Sequence, residues 1–213
     1  MFKRALMATA IASAAASSQA GTLLSENFEN VAALAGSGWV LNNLSTPVGS
    51  TNWYQGDAGI FAAQAGPAES YAAANYNNAV AGGSISNWLI TPTFSTELAG
   101  SVSFWAKGDI FDGFSDQLAY GLSSTGGSNT GDFTLGSAIT VSGDWTLYTL
   151  AYGANGVGST ARFVIVYTGE ADLSNYVGVD TLTVTSVPEP SSMLMLGAGL
   201  LGLAAFSRRT SKR

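Results

Sequence analysis

The chain is 213 residues long, enough for one domain with a proper core. Charged residues are only 10% and apolar residues 46% of it, and it contains neither His nor Cys. Imidazole bases, thiolate metal sites, Ser-His and Cys-His pairs and disulfide staples are therefore all excluded.

Residues 1–20 open with Lys3 and Arg4, continue as an Ala-rich apolar run and end in Ser18-Gln19-Ala20. This basic, apolar, small-x-small order predicts a secretory signal peptide cleaved after Ala20; the alternative is a short helix of the mature protein, which the lack of a polar face disfavours. Between Gly21 and Val187 the basic residues are Lys107 and Arg162 against thirteen acids, a net charge of −11. Such a surface repels nucleic acid and anionic membranes and suits divalent cations.

Residues 21–187 read as all-β. Strands are expected at Leu23–Phe28, Gly38–Asn42, Asn52–Tyr54, Ser86–Ile90, Ser101–Lys107, Gln117–Ser123, Trp145–Tyr152, Ala161–Thr168 and Val177–Thr185. In Gln117–Ser123, Leu118, Tyr120 and Leu122 alternate with Gln117, Gly121 and Ser123, the pattern of a sheet with one face on the core and one toward water. Trp145–Tyr152 and Ala161–Thr168 are apolar on both faces and read as central strands. Ala62–Ala81, Ala-rich and broken by Gly66-Pro67, reads as a long loop over one sheet. About nine strands with Gly-rich connections and no helical period predict two packed antiparallel sheets, a jelly-roll sandwich, without internal repeats.

Beyond residue 187, Pro188-Glu189-Pro190 precedes an apolar run from Met193 to Phe206 and a basic tail containing Arg208 and Arg209. At 1.5 Å per residue the run reaches about 21 Å as a helix, short of the ~30 Å hydrocarbon core unless its flanks contribute. Within it, Gly197, Gly199 and Gly202 spell a G-x-G-x-x-G pattern, but no βαβ unit surrounds it, so it is not a dinucleotide site. This end resembles the PEP-CTERM sorting signal: Pro188, Glu189 and Pro190 match the motif and Arg208 and Arg209 the basic cluster. The resemblance implies processing by an exosortase-type enzyme, with the C-terminal helix in the membrane beforehand, and delivery to the cell surface or an exopolysaccharide matrix. The alternative, an ordinary tail anchor, also places the domain outside the cytoplasm.

The core resembles the choice-of-anchor J domain. The likeness rests on Ser25–Glu29 with Gly38-Trp39, Asn87–Pro92, Ser103–Ala106, Asp116–Leu118 with Leu122–Ser124, and Gly178–Val184. It implies a jelly roll related to cleaved-adhesin and MAM-type domains, used in adhesion or recognition.

Three groups of residues carry possible chemistry. The resemblance places Glu29 and Asp180 where jelly rolls hold Ca²⁺; the alternative is that Asp180 accepts backbone N–H bonds or pairs with Arg162. Asp109, Asp112 and Asp116 lack EF-hand spacing and read as a solvated hairpin tip, with a surface cation as the lesser alternative. Trp53, beside Tyr54, Gln55 and Asp57, and Tyr76, among Asn75, Asn77 and Asn78, have the composition of a glycan platform, with packing as the alternative for both. Trp88, Trp105 and Trp145 fall in strands and read as core.

No nucleophile elbow, metalloprotease motif or phosphate loop is present. The expected protein is a non-catalytic, secreted adhesion or binding module whose partner is extracellular polysaccharide or matrix protein. A purely structural matrix component is the main alternative, and a carboxylate-based glycoside hydrolase the next.

Overall fold

The computed structural model describes residues 20–187, so the expected signal peptide and the sorting segment from Pro188 to Arg213 lie outside the described residues. In chain order the strands are β1 (Gly21–Glu26), β2 (Val40–Asn43), β3 (Thr46–Val48), β4 (Tyr54–Gln55), β5 (Ala72–Asn75), β6 (Ala79–Ile90) and β7 (Phe94–Ser95). They continue as β8 (Gly100–Gly108), β9 (Gln117–Ser123), β10 (Phe133–Leu135), β11 (Ile139–Thr140), β12 (Thr146–Tyr152), β13 (Thr160–Glu170) and β14 (Tyr176–Ser186). Helical structure among the described residues is confined to short 3₁₀ turns, including Tyr76–Asn78 and Ala171–Leu173.

Two antiparallel sheets form the sandwich that the sequence predicts. The first has the order β12-β8-β14-β5-β4, with β1 also alongside β14. The second has the order β10-β9-β13-β6-β2, with β11 on β9, β3 on β6 and β7 on β13. Phe104, Val102, Leu182 and Val184 from the first sheet meet Leu89, Leu118, Phe163, Ile165 and Tyr167 from the second, all essentially solvent-free. Each such side chain contributes about 1.5–3 kcal/mol of burial, which replaces the missing disulfides.

Four sequence expectations need correction. Residues 62–81 are not all loop: β5 is a fully inserted strand between β14 and β4, with Ala72, Ala73 and Ala74 at 0% exposure. Ala72 and Ala74 face the inter-sheet core while Ala73 faces a second cluster with Phe61, Tyr71 and Tyr176. Both faces being apolar, no two-residue period marks the strand. β12, expected to be central, is an edge strand paired with β8. The outer face of β9 does not meet water: Ala119 packs with Trp88, Ile90, Val164 and Val166, and the Trp88 ring meets Phe133 edge-on at 5.9 Å. Trp88 is buried as expected, but Trp105 and Trp145 are only half-buried.

Candidate functional site

Three connections cross from one sheet to the other at the same end of the sandwich. They are the Tyr76–Asn78 turn from β5 to β6, residues 109–116 from β8 to β9, and residues 171–175 from β13 to β14. Between them lies a groove of about 560 Å³ whose floor includes Ala79, Ala171 and Ser174. Its exposed aromatic walls are Tyr76, Phe111 and Phe114, the two Phe rings standing 5.8 Å apart at a tilt of 57°. Its polar groups are Asn77, Asp109, Asp172 and Asn175.

The connections are tied to one another, so the groove is held in shape. Tyr76 N–H donates to Asn175 O at 3.0 Å, Asp109 N–H to Tyr176 O at 2.9 Å and Ser115 N–H to Leu173 O at 2.7 Å. The Asn175 amide donates to Asp109 O at 2.8 Å and Asp109 Oδ2 at 3.0 Å, and Gly82 N–H donates to Asp172 Oδ1 at 2.9 Å.

Beneath the groove sits Asp116, expected as part of a solvated tip and found buried. Its Oδ1 accepts the Tyr167 hydroxyl and the Asn175 N–H, and its Oδ2 accepts the Tyr176 N–H, so one carboxylate joins β9, β13 and the start of β14. Burial pushes its carboxyl above the usual range, opposed by these hydrogen bonds and reinforced by Asp109. Asp112 is exposed.

The two glycan candidates part company here. Tyr76 is 47% exposed and lines the groove. Trp53 is 4% exposed: it packs in the main core and donates its indole N–H to Asn87 O at 3.3 Å. It borders a hollow of about 470 Å³ with Val31, Ala35 and Leu41, but presents no open ring face for stacking. Its position as a glycan platform is therefore corrected to a core position. Phe111 and Phe114 were not among the sequence candidates, although two Phe flanking Asp112-Gly113 in a short inter-strand connection were the available signal.

Glu29 and Asp180, the expected calcium pair, hold different partners. Asp180 is fully buried, with Oδ2 accepting N–H groups of Gln64 and Ala65 at 2.8 and 3.1 Å. Its Oδ1 accepts the Thr181 N–H at 2.6 Å and the Thr181 hydroxyl at 3.2 Å. Three backbone N–H groups thus hold this carboxylate, while the one Thr181 hydroxyl proton is shared between Asp180 Oδ1 and Gln64 Oε1 at 3.1 Å. Glu29 is exposed and accepts the Asn27 amide at 3.0 Å. The residues fit a hydrogen-bonded anchor for the 64–65 loop rather than a calcium ligand set. Burial outweighs those hydrogen bonds and pushes the Asp180 carboxyl up. Among the described residues no three His, Cys, Asp or Glu side chains are grouped to hold a metal. Arg162, the other candidate partner for Asp180, donates instead to the carbonyls of Gly38, Thr91 and Gly126.

Comparison with known proteins adds two findings. A family profile described as the PEP-CTERM protein-sorting motif matches residues 186–209, which indicates an exported, surface-sorted protein. The sandwich resembles the K1 cleaved adhesin domain of Lys-gingipain from Porphyromonas gingivalis W83, with a TM-score of 0.59 at 20% identity over 79% of this chain and 100% of that one. It also resembles the K3 cleaved adhesin domain of the same protein, with a TM-score of 0.56 at 17% identity over 79% and 99% of the two chains. The fold is shared with these adhesin domains. No curated protein matches the chain in sequence. Among the described residues no helix is long and apolar enough to cross a membrane, and the apolar run at 193–206 lies outside them.

Proposed function

We propose that the protein is a secreted, non-catalytic binding module of choice-of-anchor J type, whose groove between the three sheet-crossing connections takes an uncharged extracellular polysaccharide. Its sorting segment would be processed by an exosortase-type enzyme, passing through a membrane-held stage on the way to the cell surface or matrix. The observation that carries the binding assignment is the conjunction of exposed Tyr76, Phe111 and Phe114 with Asp109, Asp172 and Asn77 on mutually tied connections. Aromatic faces pack against the C–H faces of sugar rings, while amides and carboxylates accept and donate to hydroxyls, and a held groove spends little affinity on ordering itself.

Charge selects the ligand class. The domain carries −11, and its two cations are engaged elsewhere, Lys107 over the Phe61 ring at 5.1 Å and Arg162 on backbone carbonyls. A uronate or sulfated polymer would meet Asp109 and Asp172 with nothing to neutralise it. The groove carboxylates are already hydrogen-bonded by Asn175 and Gly82, which supports binding over hydrolysis.

The test is binding of the full chain to soluble uncharged glucans and galactans, with alginate as the anionic control. Saturable binding to an uncharged polymer that falls at least tenfold in Tyr76→Ala and Phe111→Ala supports the assignment. Equal binding by both variants, or a preference for alginate, overturns it.

A further inference from the structure

The edges of the two sheets are not alike. β4 and β11 have two residues each, β10 has three and β2 has four. β3 contains Pro47 and a register break, and β1 has a register break between Thr22 and Leu24 and ends in Glu26. Short length, bulges, proline and charge are the ordinary devices that stop a sheet edge from accepting another strand. β12 has none of them. It runs seven residues, Thr146–Tyr152, in unbroken register against β8 from Thr146↔Ala106 to Tyr152↔Gly100, without charge, Gly or Pro. Tyr148, Leu150 and Tyr152 pack on the core, while Leu147, Thr149 and Ala151 are exposed.

We infer that β12 is a homotypic docking edge, to which the β12 of a second copy adds antiparallel about a two-fold axis at Thr149, extending the first sheet from one molecule into the next. Charge argues for this occupant and this orientation. Each domain carries −11, so two copies repel over most of their surfaces and can approach most closely through an uncharged segment. In the antiparallel two-fold arrangement the Asp144 residues that precede β12 lie at opposite ends, on the order of 30 Å apart, whereas parallel pairing would set them side by side. The strand is also self-complementary about Thr149. Leu147 would oppose Ala151 on the outer face, and Tyr148 would oppose Leu150 on the core face, an aromatic–aliphatic pair of the kind that stabilises sheets. The two-fold makes the contact isologous and closed, so β12 by itself gives dimers and not fibres.

The chain has no cysteine, so a single introduced thiol reports its own neighbours without ambiguity. The full chain in mild detergent is treated by gentle oxidation or a short bis-maleimide, as Thr149→Cys and, for comparison, as Thr22→Cys on the exposed β1 edge. Gathering of chains through the apolar run at 193–206 acts on both variants alike, so the difference between them is the readout. The expected result is predominantly covalent dimer for Thr149→Cys and monomer for Thr22→Cys. Thr149→Asp, at an exposed position that leaves the core untouched, should lower the dimer fraction of the cysteine-free chain at least tenfold in sedimentation. The paired variant Leu147→Cys with Ala151→Cys should also cross-link between copies. Equal cross-linking at both edges, a monomeric Thr149→Cys, or cross-linking only to a foreign chain would overturn the inference.

Discussion

The groove and the Trp53 hollow both set aromatics beside side-chain amides, yet Trp53 is buried while Tyr76, Phe111 and Phe114 are exposed. Around Trp53 the amides are spent on backbone: Asn43 Nδ2 donates to Thr51 O and Asn78 O, Asn52 Nδ2 to Leu41 O, and Asn78 Nδ2 to Asn52 O. Those bonds close the loop and turn the indole inward. At the groove the backbone ties run between connections from opposite sheets, Tyr76 to Asn175 and Ser115 to Leu173, and leave Tyr76, Phe111 and Phe114 outside. An aromatic beside asparagines is thus buried at Trp53 and exposed at Tyr76, although Asn78 next to Tyr76 is itself tied to the Trp53 loop.

The largest effect that sharpens this contrast is expected at Trp53. Trp53→Ala should destabilise by about 3–5 kcal/mol in urea titration, with glycan affinity of the folded fraction unchanged. Asp116→Ala removes the acceptor shared by Tyr167, Asn175 and Tyr176 and should cost roughly 3 kcal/mol, with groove binding falling in parallel because the connections loosen.

A smaller effect is expected from pH. Asp116 and Asp180 have folded-state carboxyls raised above the unfolded value of about 3.9, so the folded state holds their protons more tightly. Their contribution to stability is present below the unfolded value and is lost as pH rises through the folded value. The Tm should therefore rise on mild acidification from pH 7, relief of the −11 self-repulsion acting in the same direction, and Asp116→Asn should flatten the trend. Tyr76→Ala is the converse of Trp53→Ala: stability within about 0.5 kcal/mol of the parent, but at least tenfold weaker binding. Smallest of all is the response to chelation. With Asp180 held by the N–H groups of Gln64, Ala65 and Thr181, EDTA and then added Ca²⁺ should leave the Tm unchanged. A calcium-dependent rise of several degrees, lost in Asp180→Asn, would restore the calcium site at Glu29 and Asp180.

The long paired strands were legible because β-branched and aromatic residues accumulate in Ala161–Thr168 and Val177–Thr185, between clear turns. β5 was not, since three alanines carry no alternation and its identity as a strand comes from β14 beside it. β12 was misplaced because Leu147 and Ala151, though exposed, made its outer face look buried. At the site, Tyr76 could be selected from its asparagine neighbours, and Asp180 from the oddness of a carboxylate in an apolar strand. What Asp180 binds depends on Gln64 and Ala65, more than a hundred residues away, and local sequence does not show that. Phe111 and Phe114 were not legible because the acids around them give 109–116 the composition of a solvated hairpin tip.

The most direct test of the groove assignment is amide chemical-shift mapping of the protein titrated with an uncharged oligosaccharide. The account predicts perturbations clustered at 76–78, 109–114 and 171–175 and quiet signals around Trp53. Perturbations centred on Val31, Leu41 and Trp53, or none at saturating sugar, would contradict it.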